Sequence, residues 1–140
     1  AEPIFVQMTA DCGSGTFFSV MHAGEEIAPV DPCGPCDCSE GPDCFIGCDL
    51  ACMAPTVAVV EPGATAQRDF SLTYRKLYDE GTHQCTQLQY VPSGPLSATL
   101  CYGMSATMEG EGVEVGTVDE SICETLAFTA SDEEVRLVVQ

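Results

Sequence analysis

Basic side chains are scarce in this chain. One lysine and three arginines stand against 22 acidic residues, a formal net charge of -18. Phosphate backbones repel such a polyanion, which argues against nucleic acid as a partner and against anionic lipid for the same reason. Asparagine is absent, so there is no N-linked glycosylation acceptor. Apolar runs such as "TVAVV" are far too short to cross a bilayer, and no membrane insertion is expected. No basic segment precedes an apolar run at the start, so no signal peptide is read there, and "AEPIF" fits residues left after signal cleavage. Walker motifs, dinucleotide fingerprints and glycine-rich phosphate cradles are missing, and no cofactor is expected.

What remains is a single domain over residues 1–140, with 45% hydrophobic content that argues against disorder. The acidic excess fits solubility, a salty habitat or divalent-cation binding, and solubility is the plainest of the three. The dominant period is two, the period of strands. "FSLTY", "LSATLCY" and "EVRLVV" each alternate cleanly, and further strands are expected in "IFVQMTA", "TFFSVMHA", "TVAVVE" and "GVEVGTV". Turn signals separate them: "CGSG", "EPGA", "DEGT", "VPSGP" and "TASDEE". The expected fold is all-β: an antiparallel Ig-like sandwich of roughly seven to nine strands. Helical spacing is weak everywhere, with one or two turns expected around Phe45 to Met53.

One hairpin can be read in register. With "VPSGP" as the loop, Tyr90 faces Leu96, Leu88 faces Ala98, Thr86 faces Leu100, and Cys85 lies opposite Cys101. A slip of one residue would break every one of these matches, so the pattern predicts a Cys85–Cys101 disulfide. A last hairpin is expected to set Phe128 against Val135 and Leu126 against Leu137 around Ala130 to Glu133. Cys123 would then tie the loop after "CYGM" to another cysteine, with Cys12 as the candidate.

Ten cysteines, an even number, point to an oxidising compartment and so to an extracellular or cell-surface protein. Six of them, Cys33, Cys36, Cys38, Cys44, Cys48 and Cys52, form an insertion over 33–52 within an acidic loop of about 28–55. A zinc site would ask for two separated ligand pairs, often with histidine, and here His22 and His83 lie outside the loop. A redox CxxC would open a helix after a buried strand, whereas Cys33 and Cys36 follow "PVDP" and are bracketed by prolines. Disulfides are the simpler account. The loop holds few large apolar residues, and each bridge over a loop of this size contributes about 3 kcal/mol. The individual pairings stay open.

Candidate chemistry is sparse. Ser14 in "DCGSG" lacks the flanking pattern of a nucleophile elbow and reads as a hairpin turn. His22 and His83 read as surface or packing histidines. Asp37, Asp43 and Asp49 are oxygen-ligand candidates for calcium, without an EF-hand pattern.

The middle of the chain, "VEPGATAQRDFSLTY" through "CTQLQYVPSGPLSATLCYG", resembles Cys-rich secreted or lipoprotein domains of bacteria. Their β-sandwich is similar to that of the intracellular proteinase inhibitor (BsuPI-like) family. The likeness spans about a third of the chain. Phe70 stands where that family carries tryptophan, and the cysteine loop is an addition. It implies a fold, not inhibition.

The expectation for function is therefore a non-enzymatic secreted or cell-surface module, structural or adhesive. It would bind a protein partner or itself, with strand addition into a surface filament as one route. Metal or small-ligand binding, with divalent cations as partners, and a proteinase inhibitor-like role are the alternatives. Full oxidation has a direct readout. Under denaturing, non-reducing conditions the intact mass should lie ten hydrogens below that of the reduced chain, one per cysteine. A smaller deficit means free thiols, which would reopen metal ligation.

Overall fold

The computed structural model describes residues 1–9, 16–27, 36–40, 54–79, 81, 84–91, 93–109 and 114–140. Its strands are β1 (Ile4–Thr9), β2 (Phe18–His22), β3 (Glu25–Glu26), β4 (Thr56–Val60), β5 (Thr73–Asp79), β6 (Gln84–Tyr90), β7 (Leu96–Tyr102), β8 (Ala106–Met108), β9 (Gly116–Val118) and β10 (Ile122–Phe128). Among the described residues the one helical element is a 3-10 turn, Cys38–Glu40. The fold is all-β and sandwich-like, with every strand pairing antiparallel.

Alternation builds the main sheet, whose strand order is β10-β7-β2-β3. Phe18 aligns with Leu100, Val20 with Ala98, and both Ala98 and Leu126 share a register position. These residues face one side, while Ser19, Ser97, Thr99 and Thr125 face the other, where the Thr99 and Thr125 hydroxyls bond at 2.9 Å. Val20, Ile27 and Leu96 form the buried cluster, with Phe18, Phe70, Leu72, Tyr74, Val91 and Phe128 against it. Ala23 and Gly24, both left-handed at φ 50° and 82°, make the two-residue turn into β3.

The rest of the architecture is three two-stranded units: β1-β4, β5-β6 and β8-β9. Gly103, just past β7, exchanges backbone bonds with Phe5 of β1 at 2.8 and 2.9 Å and so links the main sheet to β1-β4. A Cβ at Gly103 would collide with the Val118 side chain and lie 2.8 Å from the Glu120 carbonyl. The junction with β9 runs through one side chain. Gln7 Nε2 donates to the carbonyls of Thr9 (2.8 Å), Thr56 (2.9 Å) and Gly116 (3.1 Å), and its Oε1 accepts from Val118 N–H at 3.0 Å. Two amide hydrogens serve three acceptors, so at least one bond is shared. The register of β1 on β4 shifts between Gln7 and Thr9, and Arg68 donates to the carbonyl of the intervening Met8 at 3.0 Å. At the β8-β9 end, hydrogen bonds from the Thr107 and Ser105 side chains hold the Asp119 carboxyl below its ordinary pKa.

Several sequence expectations are corrected here. β6 and β7 do not pair: β6 lies on β5, with Tyr78 opposite Cys85, and β7 lies between β2 and β10. Cys85 is therefore not opposite Cys101, and the disulfides between described residues are Cys38–Cys85 and Cys101–Cys123. The pairing of Cys123 with Cys12 falls with the same observation. The reason is that β7 is the central strand, so Leu96 and Ala98 are buried by β2 and β10, while Leu88 and Tyr90 of β6 are left 47% and 77% exposed. The last hairpin is also absent, since Phe128 and Leu126 align with Leu96 and Ala98, and residues 129–140 join no ladder. The helical turns expected around Phe45 to Met53 fall outside the described residues.

The Gln7 and Gly103 junctions should be costly to disturb. Gln7→Leu removes three acceptor contacts and leaves the Val118 amide without its partner, a loss of about 2–3 kcal/mol. Gly103→Ala should cost about 1–3 kcal/mol, because the obstructing atoms include backbone. Denaturant unfolding measures both, and a change below about 0.5 kcal/mol for either would mean that the junction contributes little.

Candidate functional site

All five described cysteines are disulfide-bonded: Cys36, Cys38, Cys85, Cys101 and Cys123. Cys12, Cys33, Cys44, Cys48 and Cys52 lie outside the described residues, as do Ser14, His83, Asp43 and Asp49. The visible piece of the cysteine loop docks on β6. Thr86 N–H donates to the Cys36 carbonyl at 2.8 Å, Asp37 bridges Thr86 in parallel, and the Cys38–Cys85 bond lies beside them. Asp37 Oδ1 accepts from the Ser39 amide at 2.9 Å and from its hydroxyl at 2.7 Å, which caps the 3-10 turn. Among the described residues no three His, Cys, Asp or Glu side chains are grouped to hold a metal ion. His22, half-buried, ends β2 opposite Leu96 and Glu25.

The unusual chemistry of this molecule is in its backbone. Cys101 gives its N–H to the Phe17 carbonyl at 2.6 Å, on the side away from β10. Cys101 and Cys123 are thus a non-hydrogen-bonded pair, with Cα atoms 4.1 Å apart, which suits a cross-strand disulfide. The alternation of an antiparallel ladder then turns the N–H and C=O groups of Cys123, Thr125 and Ala127 outward. β10 is an outer strand of its sheet, and those groups meet no backbone partner among the described residues.

Most other outer strands are short, charged or bridged; β1 and β4 are bridged outside their own pair at Phe5 by Gly103 and at Thr56 by Val115. β3 and β8 are two and three residues long. β5 matches β10 in length but carries Arg75 and Lys76, and the free side of β6 is partly covered by Cys36 and Asp37. β10 has seven residues, ICETLAF, with no proline, no basic residue and a single charge. Ile122 at its start is 45% exposed.

A second unpaired feature follows β10 directly. Asp132 turns the chain, accepting from Thr129 N–H at 2.8 Å and donating its own N–H to the Thr129 carbonyl at 3.0 Å. In the segment 134–140 that follows, Val135 and Leu137 line a cleft together with Phe18, Val20, Ala98 and Leu100 of the main sheet. Val135, Leu137 and Val139 are half-buried, alternating with exposed Glu134, Arg136, Val138 and Gln140. That is strand periodicity, yet no backbone group of the segment is hydrogen-bonded to a described residue. Two open clefts of about 630 and 590 Å³ run beside it, both lined by Phe17, Leu100, Arg136 and Leu137. Sequence reasoning identified both strands but joined them as a hairpin, so it missed the open edge.

Searches of family models, of curated proteins and of solved structures return no match. The resemblance to BsuPI-like inhibitors gains no support from them. Among the described residues no helix is long and apolar enough to cross a membrane.

Amide exchange reads the edge directly. At a concentration where the chain is monomeric, Glu124, Leu126 and Phe128 amides should be protected and those of Cys123, Thr125 and Ala127 should exchange fast. Uniform protection along β10 would mean that its edge is covered.

Proposed function

We propose that this protein is a non-enzymatic module of the cell exterior that associates with copies of itself by strand addition, building filaments. The observation that carries the reading is the long, unshielded edge of β10 in a chain that also holds a strand-like segment without a ladder. Unpaired strand edges are templates for pairing, and soluble monomers normally blunt them. The extracellular setting is supported by the disulfides, which persist in oxidising surroundings.

Edge pairing brings together chains that each carry a net charge of -18. Mutual repulsion opposes assembly, and added salt relieves it, since the screening length falls from about 10 Å at 0.1 M to about 3 Å at 1 M. Light scattering coupled to size exclusion should therefore show mass rising with concentration, and rising further between these salt levels, with elongated particles in electron micrographs. A monomer that persists at millimolar concentration in high salt would contradict the proposal.

A further inference from the structure

We infer that the strand accepted by the β10 edge is segment 134–140 of a second copy, running antiparallel with Leu137 against Leu126 and Val135 against Phe128. This rests on the self-association reading and names its two mating surfaces. The donor already has the shape the edge needs. Its apolar side chains alternate, and its own backbone makes no hydrogen bonds with the described residues. Within its own molecule it lines two open clefts and joins no ladder, so leaving that seat breaks no backbone hydrogen bond to a described residue. On the edge, the outward residues Ala127, Thr125 and Cys123 would meet Arg136, Val138 and Gln140, each pair exchanging two backbone bonds. Val135, Leu137 and Val139 would then extend the apolar side of the main sheet beyond Leu126 and Phe128.

Charge selects the same surfaces. A polyanion can meet itself only through its least charged parts. Segment 134–140 is neutral overall, since Glu134 and Arg136 offset each other and pair at 2.9 Å, and β10 carries Glu124 alone. The alternative, β10 against β10 of the second copy, would leave segment 134–140 unpaired. Donor and acceptor are different surfaces, so the contact is heterologous and repeats from copy to copy.

Two proline substitutions separate these arrangements, each removing an amide that the monomer does not use. Val138→Pro disables the donor at a residue 69% exposed in the monomer, and Ala127→Pro disables the acceptor edge. Each variant alone should stay monomeric at concentrations where the unmodified chain associates. An equimolar mixture should form a complex of two chains and stop there, because the Val138→Pro chain still accepts and the Ala127→Pro chain still donates. Association of Val138→Pro at the unmodified level, or a mixture that stays monomeric, overturns the inference while leaving self-association standing. An unmodified chain that never associates removes both. Should Ala127→Pro fail to fold, exchange in the unmodified assembly decides. Thr125 and Val138 amides should gain protection together, and protection of Thr125 alone points to edge-to-edge pairing.

Discussion

The position of β7 between β2 and β10, locked on one side by the Cys101–Cys123 disulfide, is the constraint from which the rest of the molecule follows. A central strand uses its backbone bonds on both sides. β6 is thereby excluded from pairing with β7 and pairs with β5, which leaves Cys85 available to Cys38. β10, held to β7, becomes an outer strand. The disulfide spans a sequence separation of 22 and lies on the side of the sheet opposite Leu126 and Phe128, where Thr99 and Thr125 also sit. Chain entropy assigns such a closure about 3 kcal/mol, and the Cys38–Cys85 closure, with a separation of 47, about 4 kcal/mol.

Covalent bracing matters because the apolar interior is modest. Nine apolar residues are buried among the described ones, namely three Val, one each of Ile, Leu, Ala and Phe, and two disulfide cysteines. Several large apolar side chains remain outside, including Leu77, Leu88 and Tyr90 on one side of the β5-β6 hairpin. The units are therefore joined by specific polar and covalent links in addition to apolar packing such as that of Tyr74 of β5 on the main-sheet cluster. Gln7 stands in for sheet pairing between β1 and β9, the Gly103 backbone links β7 to β1, and Cys36 to Cys38 attach the cysteine loop to β6. Such construction tolerates an outer strand whose groups are left for another chain.

Strand positions were legible in the sequence because alternation is local: β1, β2, β4 and β7 fall where "IFVQMTA", "TFFSVMHA", "TVAVVE" and "LSATLCY" predict. Partnership was not legible. Tyr90 and Leu88 match Leu96 and Ala98 in polarity, yet Phe18 and Val20 match Leu100 and Ala98 equally well. A period of two carries no information on which matching strand is chosen. β5 was only half read, because Arg75 and Lys76 interrupt the apolar pattern that begins with Phe70 and Leu72. The C-terminal segment shows the same limit. "EVRLVV" has the burial pattern of a strand in the fold, but alternation does not reveal that its ladder partner is missing from its own sheet. The open β10 edge could have been suspected from ICETLAF, which lacks the lysine or proline that usually blunts an outer strand.

The account stands on which cysteines share a bond, since that choice fixes the neighbours of β7. A digest of the non-reduced protein at acidic pH, where thiol exchange is slow, followed by mass spectrometry of the linked peptides, tests it most directly. Peptides joining Cys101 to Cys123 and Cys38 to Cys85 are the predicted result. A peptide joining Cys85 to Cys101 would place β6 beside β7 and contradict the sheet order, the open edge and the function drawn from it.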